Sequence, residues 1–257
     1  MFNYKNILVV VFDKNKSNKA LKEVQEILSE NNTEYKIYEE KNDANSYIGH
    51  DLVLVIGGDG SMLSAAKLFS HINCPFLGVN LGKVGFMADL DSENLATELP
   101  EVLSGNNLVE DKEAISCSYN GKKYTAFNEI VLHTQKSYKL MHFELKIEGN
   151  LIYRKRADGL IISTSNGSTA YSLSAGGPIL SPDVNGLVIT SLNPLSLSAR
   201  PLIVPSSAKI EVSLIKTPND LNSFIIIDGN QEIQIENNAK DFTVTKSNQS
   251  FKLLHPK

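Results

Sequence analysis

The sequence predicts an α/β domain followed by a β-rich domain, a Rossmann-like N-terminal layer with a glycine-rich loop and then a C-terminal β-sandwich-like region. Three observations carry this expectation. Strand-length apolar runs alternate with helical stripes up to about residue 108, the hydrophobic period becomes two beyond residue 111, and Gly57-Gly58-Asp59-Gly60 stands where an apolar run gives way to a helical pattern. The expected domains are residues 1–108 and 109–247, with a tail from about 248 to 257 that packs back on the first.

Taken in order, residues 7–12 form a first core strand ending at Asp13, and Ala20, Leu21, Val24, Ile27 and Leu28 make the apolar stripe of a helix. Strands follow at 35–38 and 52–56, then a helix over 62–69, a strand at 76–79, and a stripe of Leu95, Leu99, Val102 and Leu103. Continuous apolar runs such as Leu52-Val53-Leu54-Val55-Ile56 suit a parallel sheet covered on both faces. In the second half, Asn120-Gly121 between 115–119 and 122–127 is a type I′ hairpin signal. Residues 142–148 alternate before a turn at Gly149-Asn150, and further strands are read at 160–163, 187–190, 202–204, 210–215, 224–227, 233–235 and 242–245.

With 257 residues, 42% hydrophobic and 21% charged, the chain folds without staples. A net charge of −4 argues against a nucleic-acid partner, which needs an extended basic surface. Arg154-Lys155-Arg156 is the local exception and reads equally as a solvated strand edge. Cys74 and Cys117 stand far apart with no C-x-x-C spacing, so neither a disulfide framework nor a zinc site is expected, and the five histidines form no metal pair. The apolar run at 7–12 is too short for a signal peptide or a membrane span, so a cytoplasmic protein without a membrane partner is expected.

The loop Gly57-Gly58-Asp59-Gly60 followed by a helix has the makings of a phosphate site. Glycines let backbone N–H groups approach an anion, and the positive end of the helix dipole favours it. The plain alternative is a tight connection capped by Asp59 or Ser61. Neither the Walker A pattern nor the dinucleotide G-x-G-x-x-G pattern is present, because Leu63 stands where the latter needs its last glycine. The segment from Asn80 to Phe86 starts at the end of the next strand and is expected to wall the same crevice.

Polar groups in the second half form a second set. Ser163 to Ser172 concentrates hydroxyls between a strand and a short helical stretch, where they cap a helix or hold ribose and phosphate oxygens. Asp158-Gly159 puts a carboxylate at a strand entrance, and Asp228-Gly229-Asn230 alone reads as a hairpin turn. Asn128-Glu129 interrupts an apolar run; both side chains reach one ligand only at a strand end or bulge, and a bulge is expected.

Together, Gly57-Gly58-Asp59-Gly60, Asn128-Glu129, Asp158-Gly159, the segment Gly167 to Ser172 with Gly176-Gly177-Pro178, and Asp228-Gly229 resemble the bacterial NAD kinases, in order and spacing, over nearly the whole chain. The Gly-Gly-Asp-Gly element is shared with lipid kinases and 6-phosphofructokinases, whereas the Gly167 to Ser172 segment is much more specific. The resemblance implies transfer of the γ-phosphoryl of ATP to the 2′-hydroxyl of the adenosine ribose of NAD, giving NADP. It further implies a cytoplasmic homodimer or homotetramer with NAD and ATP as substrates. A divalent cation, Mg²⁺, is carried by ATP rather than by protein ligands.

Carried over by position, the resemblance makes Asp59 the proton acceptor and has Asp59 and Gly60 touch the dinucleotide. Asn128, Glu129 and Asp158 hold adenine and ribose groups. Thr169, Ala170, Tyr171, Ser172, Leu173 and Ser174 line the nucleoside pocket, with Tyr171 beside the base. Lys139 and Arg156 match basic positions near phosphate, and Asn230 a polar position after the Asp-Gly turn. The chain departs from the family at Thr164-Ser165-Asn166, where Thr-Pro-Thr is usual, and at Asn230-Gln231. A lipid or sugar kinase on the same glycine loop and an NAD-binding sensor without activity are the alternatives.

Overall fold

The computed structural model describes residues 2–82, 85–135, 140–196, 199–216 and 222–257. The chain divides into two compact units, one of residues 1–112 with 249–257 and the other of residues 113–248.

In the first unit β1 (Asn6–Val10) leads into α1 (Lys14–Glu30). Asp13 caps that helix by accepting from the N–H groups of Asn15 and Lys16 at 3.1 and 3.2 Å. Ala20, Val24, Ile27 and Leu28 turn inward at helical spacing, as their periodicity requires. Next come β2 (Glu34–Ile37), β3 (Leu52–Ile56), α2 (Asp59–Phe69), β4 (Phe76–Asn80), a short β5 (Leu90–Asp91) and α3 (Leu95–Leu103). The strands run parallel in the order β4-β3-β1-β2, with β5 added beside the end of β4. Every residue of β3 and β4 is buried, which is why these strands read as unbroken apolar runs rather than as alternating ones.

The next strand, β6 (Asn107–Tyr119), begins eight residues before the run read from the sequence, because Asn107 to Ala114 mixes exposed and charged positions into the strand. It pairs with β7 (Lys122–Ala126) through Asn120 and Gly121, whose φ values of 46° and 74° are those of the expected type I′ turn. Then come β8 (Glu129–Thr134), β9 (Met141–Ile147), β10 (Asn150–Ala157), β11 (Gly159–Ser163) and the one-turn helix α4 (Tyr171–Ser174). The remaining strands are β12 (Gly186–Leu192), β13 (Leu202–Pro205), β14 (Ile210–Lys216), β15 (Ser223–Ile227), β16 (Gln231–Gln234) and β17 (Asp241–Pro256). The turn between β9 and β10 is centred on Glu148 and Gly149, φ 51° and 76°, one residue earlier than Gly149-Asn150.

Within the second unit an antiparallel sheet runs β13-β12-β11-β8-β15-β16. Its Ile130, Leu132, Leu160, Ile162, Ile225 and Ile227 share one core with Phe143, Leu145, Val212 and Val244 of β9, β14 and β17. The other face carries a smaller cluster, Val131, Ile161 and Leu192, on which Ala175 rests. Strand β17 serves both units: Asp241 to Val244 pair with β14, and Leu253 and Leu254 pair with β4.

Candidate nucleotide phosphotransfer site

In the first unit the loop after β3 is shaped by its glycines. Gly57 sits at φ 155°, and a Cβ there would lie 2.3 Å from the Ser61 hydroxyl. Gly58 is the N-cap of α2 and no side chain caps that helix, so neither Asp59 nor Ser61 plays the capping role considered for them. Around Gly58 and Gly60 a Cβ would meet nothing within 4 Å. The first amides of α2 are therefore uncapped beside open space, at the carboxyl end of a parallel strand, the arrangement that favours an anion.

Asp59 is the first residue of α2, and its half-buried carboxylate faces the segment after β4. It accepts from the N–H groups of Phe86 and Met87, both at 3.0 Å. Gly85 makes this possible, since a Cβ at that position would lie 2.2 Å from Asp59 Oδ1. That segment is fixed in turn by Asn80, whose Nδ2 donates to the Ala88 carbonyl at 3.2 Å and whose Oδ1 accepts from Gly82 N–H at 3.0 Å. Part of the Asn80 to Phe86 wall, Lys83 and Val84, lies outside the described residues. Sequence reasoning had not tied Gly85, Phe86 and Met87 to Asp59; the signal was a second glycine pair after a strand.

In the second unit Asn128 and Glu129 stand at the junction where β7 ends and β8 begins, not at a bulge. A buried Asp228, φ 46° and followed by Gly229 at φ 68°, makes the junction possible. Its carboxylate accepts from the N–H groups of Phe127, Asn128 and Glu129 at 3.1, 2.8 and 3.1 Å. Phe127 and Asn128 lie between the two strands and Glu129 opens the second, and a carboxylate supplies the partner that the sheet does not. Asp228 is thus both turn residue and support.

The chain after β11 closes over the same junction. Thr164 N–H donates to the Asn128 carbonyl at 2.9 Å and its hydroxyl to the Phe127 carbonyl at 2.7 Å, while Gly167 N–H donates to Thr164 Oγ1 at 3.0 Å. A Cβ on Gly167 would lie 2.1 Å from the Asn128 carbonyl oxygen, so only glycine fits. Asn166 Nδ2 donates to Asn128 Oδ1 at 2.6 Å. Ser163, directly opposite Glu129, is fully buried and its hydroxyl makes no hydrogen bond.

The structure therefore gathers Asn128, Glu129, Asn230 and the turn through Thr169 at one end of β8, β11 and β15. Asp158 lies at the other end of β11, about five residues or ~16 Å away along the strand, where Asn193 Nδ2 donates to its Oδ2 at 2.9 Å. Arg156 is exposed on β10, opposite His142. In α4, Tyr171, Leu173 and Ser174 face outward. Ser172 faces inward: its buried hydroxyl meets Thr190 Oγ1 at 3.3 Å, over the space that Gly177 leaves. Ala170 is half-buried between the two short helices. Lys139 lies outside the described residues. Among the described residues no group of three or more His, Cys, Asp or Glu side chains could hold a metal ion, and no helix is long and apolar enough to cross a membrane.

An uncapped helix start with a held aspartate after a parallel strand, followed in the chain by a β unit with a polar junction, is an arrangement that suits a nucleotide-dependent phosphotransferase. Comparison with known proteins narrows the class. Residues 4–107 match the ATP-NAD kinase N-terminal domain and residues 127–256 match the ATP-NAD kinase C-terminal domain. The NAD kinase of Erwinia tasmaniensis is 41% identical over 212 residues, which cover 80% of this chain and 72% of that protein. The crystal structure of an NAD kinase from Archaeoglobus fulgidus in complex with ATP has a TM-score of 0.81 at 25% identity, covering 98% of this chain and 94% of that one. Yeast NADH kinase complexed with NADH shares the fold, with a TM-score of 0.83 at 24% identity over 99% of this chain and 84% of that one. The chain belongs to the ATP-NAD kinase family.

Proposed function

We infer that this protein transfers the γ-phosphoryl of ATP to the 2′-hydroxyl of the adenosine ribose of NAD, giving NADP and ADP. The observation that carries this reading is that both halves of the chain match the two halves of a single kinase family. The local geometry supports it. Asp59 has its carboxylate held by two backbone amides at the start of a helix, and Asn128 has its backbone fixed on both sides by Asp228 and Thr164.

In the transfer, the ribose 2′-oxygen forms a bond to the γ-phosphorus as the bond from that phosphorus to the bridging β–γ oxygen breaks. The hydroxyl proton passes to the Asp59 carboxylate and then to solvent, and ADP leaves. The transition state of phosphoryl transfer is loose in most analyses, so orienting the hydroxyl counts for more than the strength of the base. The amides of Asp59 and Gly60, at the positive end of α2, take phosphate oxygens.

Asn128, Glu129 and Asn230 hold adenine and ribose groups from the junction end of the sheet, and Asp158 meets the dinucleotide from the far end of β11. Two nucleosides joined by a pyrophosphate are long enough to touch both ends. Outward-facing Tyr171, Leu173 and Ser174, with Thr169 and Ala170, line the nucleoside pocket, whereas Ser172 supports it from within. Arg156 and Lys139 act on phosphate. Mg²⁺ carried on the nucleotide phosphates would neutralise part of their charge. A homo-oligomer and a cytoplasmic location complete the reading.

Incubation with NAD, ATP and Mg²⁺ and detection of NADP tests it, with diacylglycerol and fructose 6-phosphate as control acceptors. NADP should form with NAD alone. Asp59→Asn should lower kcat by on the order of 10²–10⁴-fold with the fold intact. Absence of NADP from the unaltered protein would reduce the reading to a binding protein.

A further inference from the structure

The Asn128 backbone has no freedom left. Its N–H is held by Asp228 at 2.8 Å, its carbonyl accepts from Thr164 N–H at 2.9 Å, and Gly167 packs against that carbonyl so closely that a methyl group could not enter. What remains variable is which way the terminal carboxamide faces. An amide oxygen accepts and an amide nitrogen donates, so the two orientations present opposite chemistry to a ligand. The structure shows one of the two: Asn166 Nδ2 donates to Asn128 Oδ1 at 2.6 Å. Both side chains are half-buried at the same end of the sheet.

Resting on the proposed NAD kinase activity, we infer that Asn166 is a positioning residue that fixes the Asn128 carboxamide with its oxygen as acceptor, and so makes the pocket select a 6-amino over a 6-oxo purine. A carbonyl oxygen has two lone pairs. Asn166 uses one, and the other accepts from the exocyclic N6–H of adenine; asparagine reads adenine in this sense, oxygen to the amino group. Turned over, the same carboxamide would set N–H against N–H at the 6-amino group and suit the O6 acceptor of hypoxanthine instead. Threonine at 166 would also donate, through its hydroxyl. An aspartate of the same shape cannot donate and would draw Asn128 Nδ2 toward itself.

The experiment compares kcat/KM for NAD and for nicotinamide hypoxanthine dinucleotide, with ATP and Mg²⁺, in the full-length protein and three variants. The unaltered protein should favour NAD by on the order of 10- to 100-fold, as one mispaired hydrogen bond in a half-buried pocket dictates. Asn166→Thr should keep that ratio within about threefold, and Asn166→Asp should bring it to about one or below, the change lying mainly in KM. Asn166→Ala, which leaves the carboxamide free to turn, should lower the ratio severalfold and covers the case in which the aspartate variant does not fold. If Asn166→Asp and Asn166→Thr behave alike, or if the variants depress both substrates equally, Asn166 has only a structural role and the inference is overturned. Failure of the unaltered protein to make NADP at all is a separate outcome, and it removes the underlying activity instead.

Discussion

Gly85→Ala should impair turnover far more than it weakens the grip on NAD, with the fold nearly unchanged. The added Cβ would lie 2.2 Å from Asp59 Oδ1 and 2.7 Å from its Cγ. Non-bonded carbon and oxygen need about 3.5 Å, so the carboxylate must retreat by about 1.3 Å. Its two bonds to the Phe86 and Met87 amides, 3.0 Å each, would then exceed the hydrogen-bonding range. A displacement of about 1 Å at a reacting group costs on the order of 10²-fold in rate, so kcat should fall by about that factor. KM for NAD should rise by no more than about tenfold, because Asp59 contributes one contact to the dinucleotide while the residues proposed to hold its adenine and ribose groups lie elsewhere in the chain. Coupling NADP to an NADP-specific dehydrogenase measures both constants, and a thermal melt checks the fold. Gly82→Ala, whose Cβ would meet nothing within 4 Å, is the control and should stay near normal. Normal kcat in Gly85→Ala would refute the argument that the held position of Asp59 matters.

Three further outcomes are expected. Asp228→Ala orphans three amides and should lower unfolding free energy by at least about 3 kcal/mol in urea titrations, with Asp228→Asn intermediate; a loss below about 1 kcal/mol would contradict its role as support. The ring nitrogens of His255 lie 2.7 Å from an Asp89 carboxylate oxygen and 2.9 Å from one of Glu110, with Lys112 on the same Glu110 carboxylate at 2.8 Å. The hydrogen bond to Asp89 foremost, then its charge and those of Glu110, raises the His255 pKa above 6.5. This contribution to stability is thus complete below pH 6.5 and fades as pH climbs through the raised folded-state value, a decline in urea midpoint that His255→Gln should flatten. Burial pushes the Cys74 thiol up to about 11 and that of Cys117 to about 12. Iodoacetamide at pH 8 should therefore label neither until denaturant is added, and mass spectrometry of the native protein showing either one alkylated would contradict their burial.

The elements best read from the sequence are those whose local pattern states their surroundings. The unbroken Leu52 to Ile56 run announced a strand covered on both faces, and Asn120-Gly121 announced its own hairpin. The glycine loop and the order of the polar motifs gave the family. What the pattern could not state is what distant residues do for one another. Asp228 read as a turn residue, and it is one, but its partners are about a hundred positions earlier in the chain. Gly167 and Gly85 looked like loop glycines, and each proves necessary because of one atom elsewhere: the Asn128 carbonyl oxygen and Asp59 Oδ1. A bulge was expected at Asn128-Glu129 because two adjacent polar residues cannot face the same way in a strand. The structure ends one strand there and starts another, which satisfies the same geometric demand.

Strand β17 gives the order of synthesis a physical meaning. Leu254 belongs to the same core as Ile7, Leu54 and Leu99, and the Phe251 ring lies edge-on to Phe76 with centroids 5.0 Å apart. The unit that emerges first from the ribosome thus lacks part of its own interior until residues 249–257 have been made, whereas residues 113–248 form an uninterrupted stretch of the chain. Removal of residues 249–257 would therefore damage the first-made unit rather than the one beside the cut.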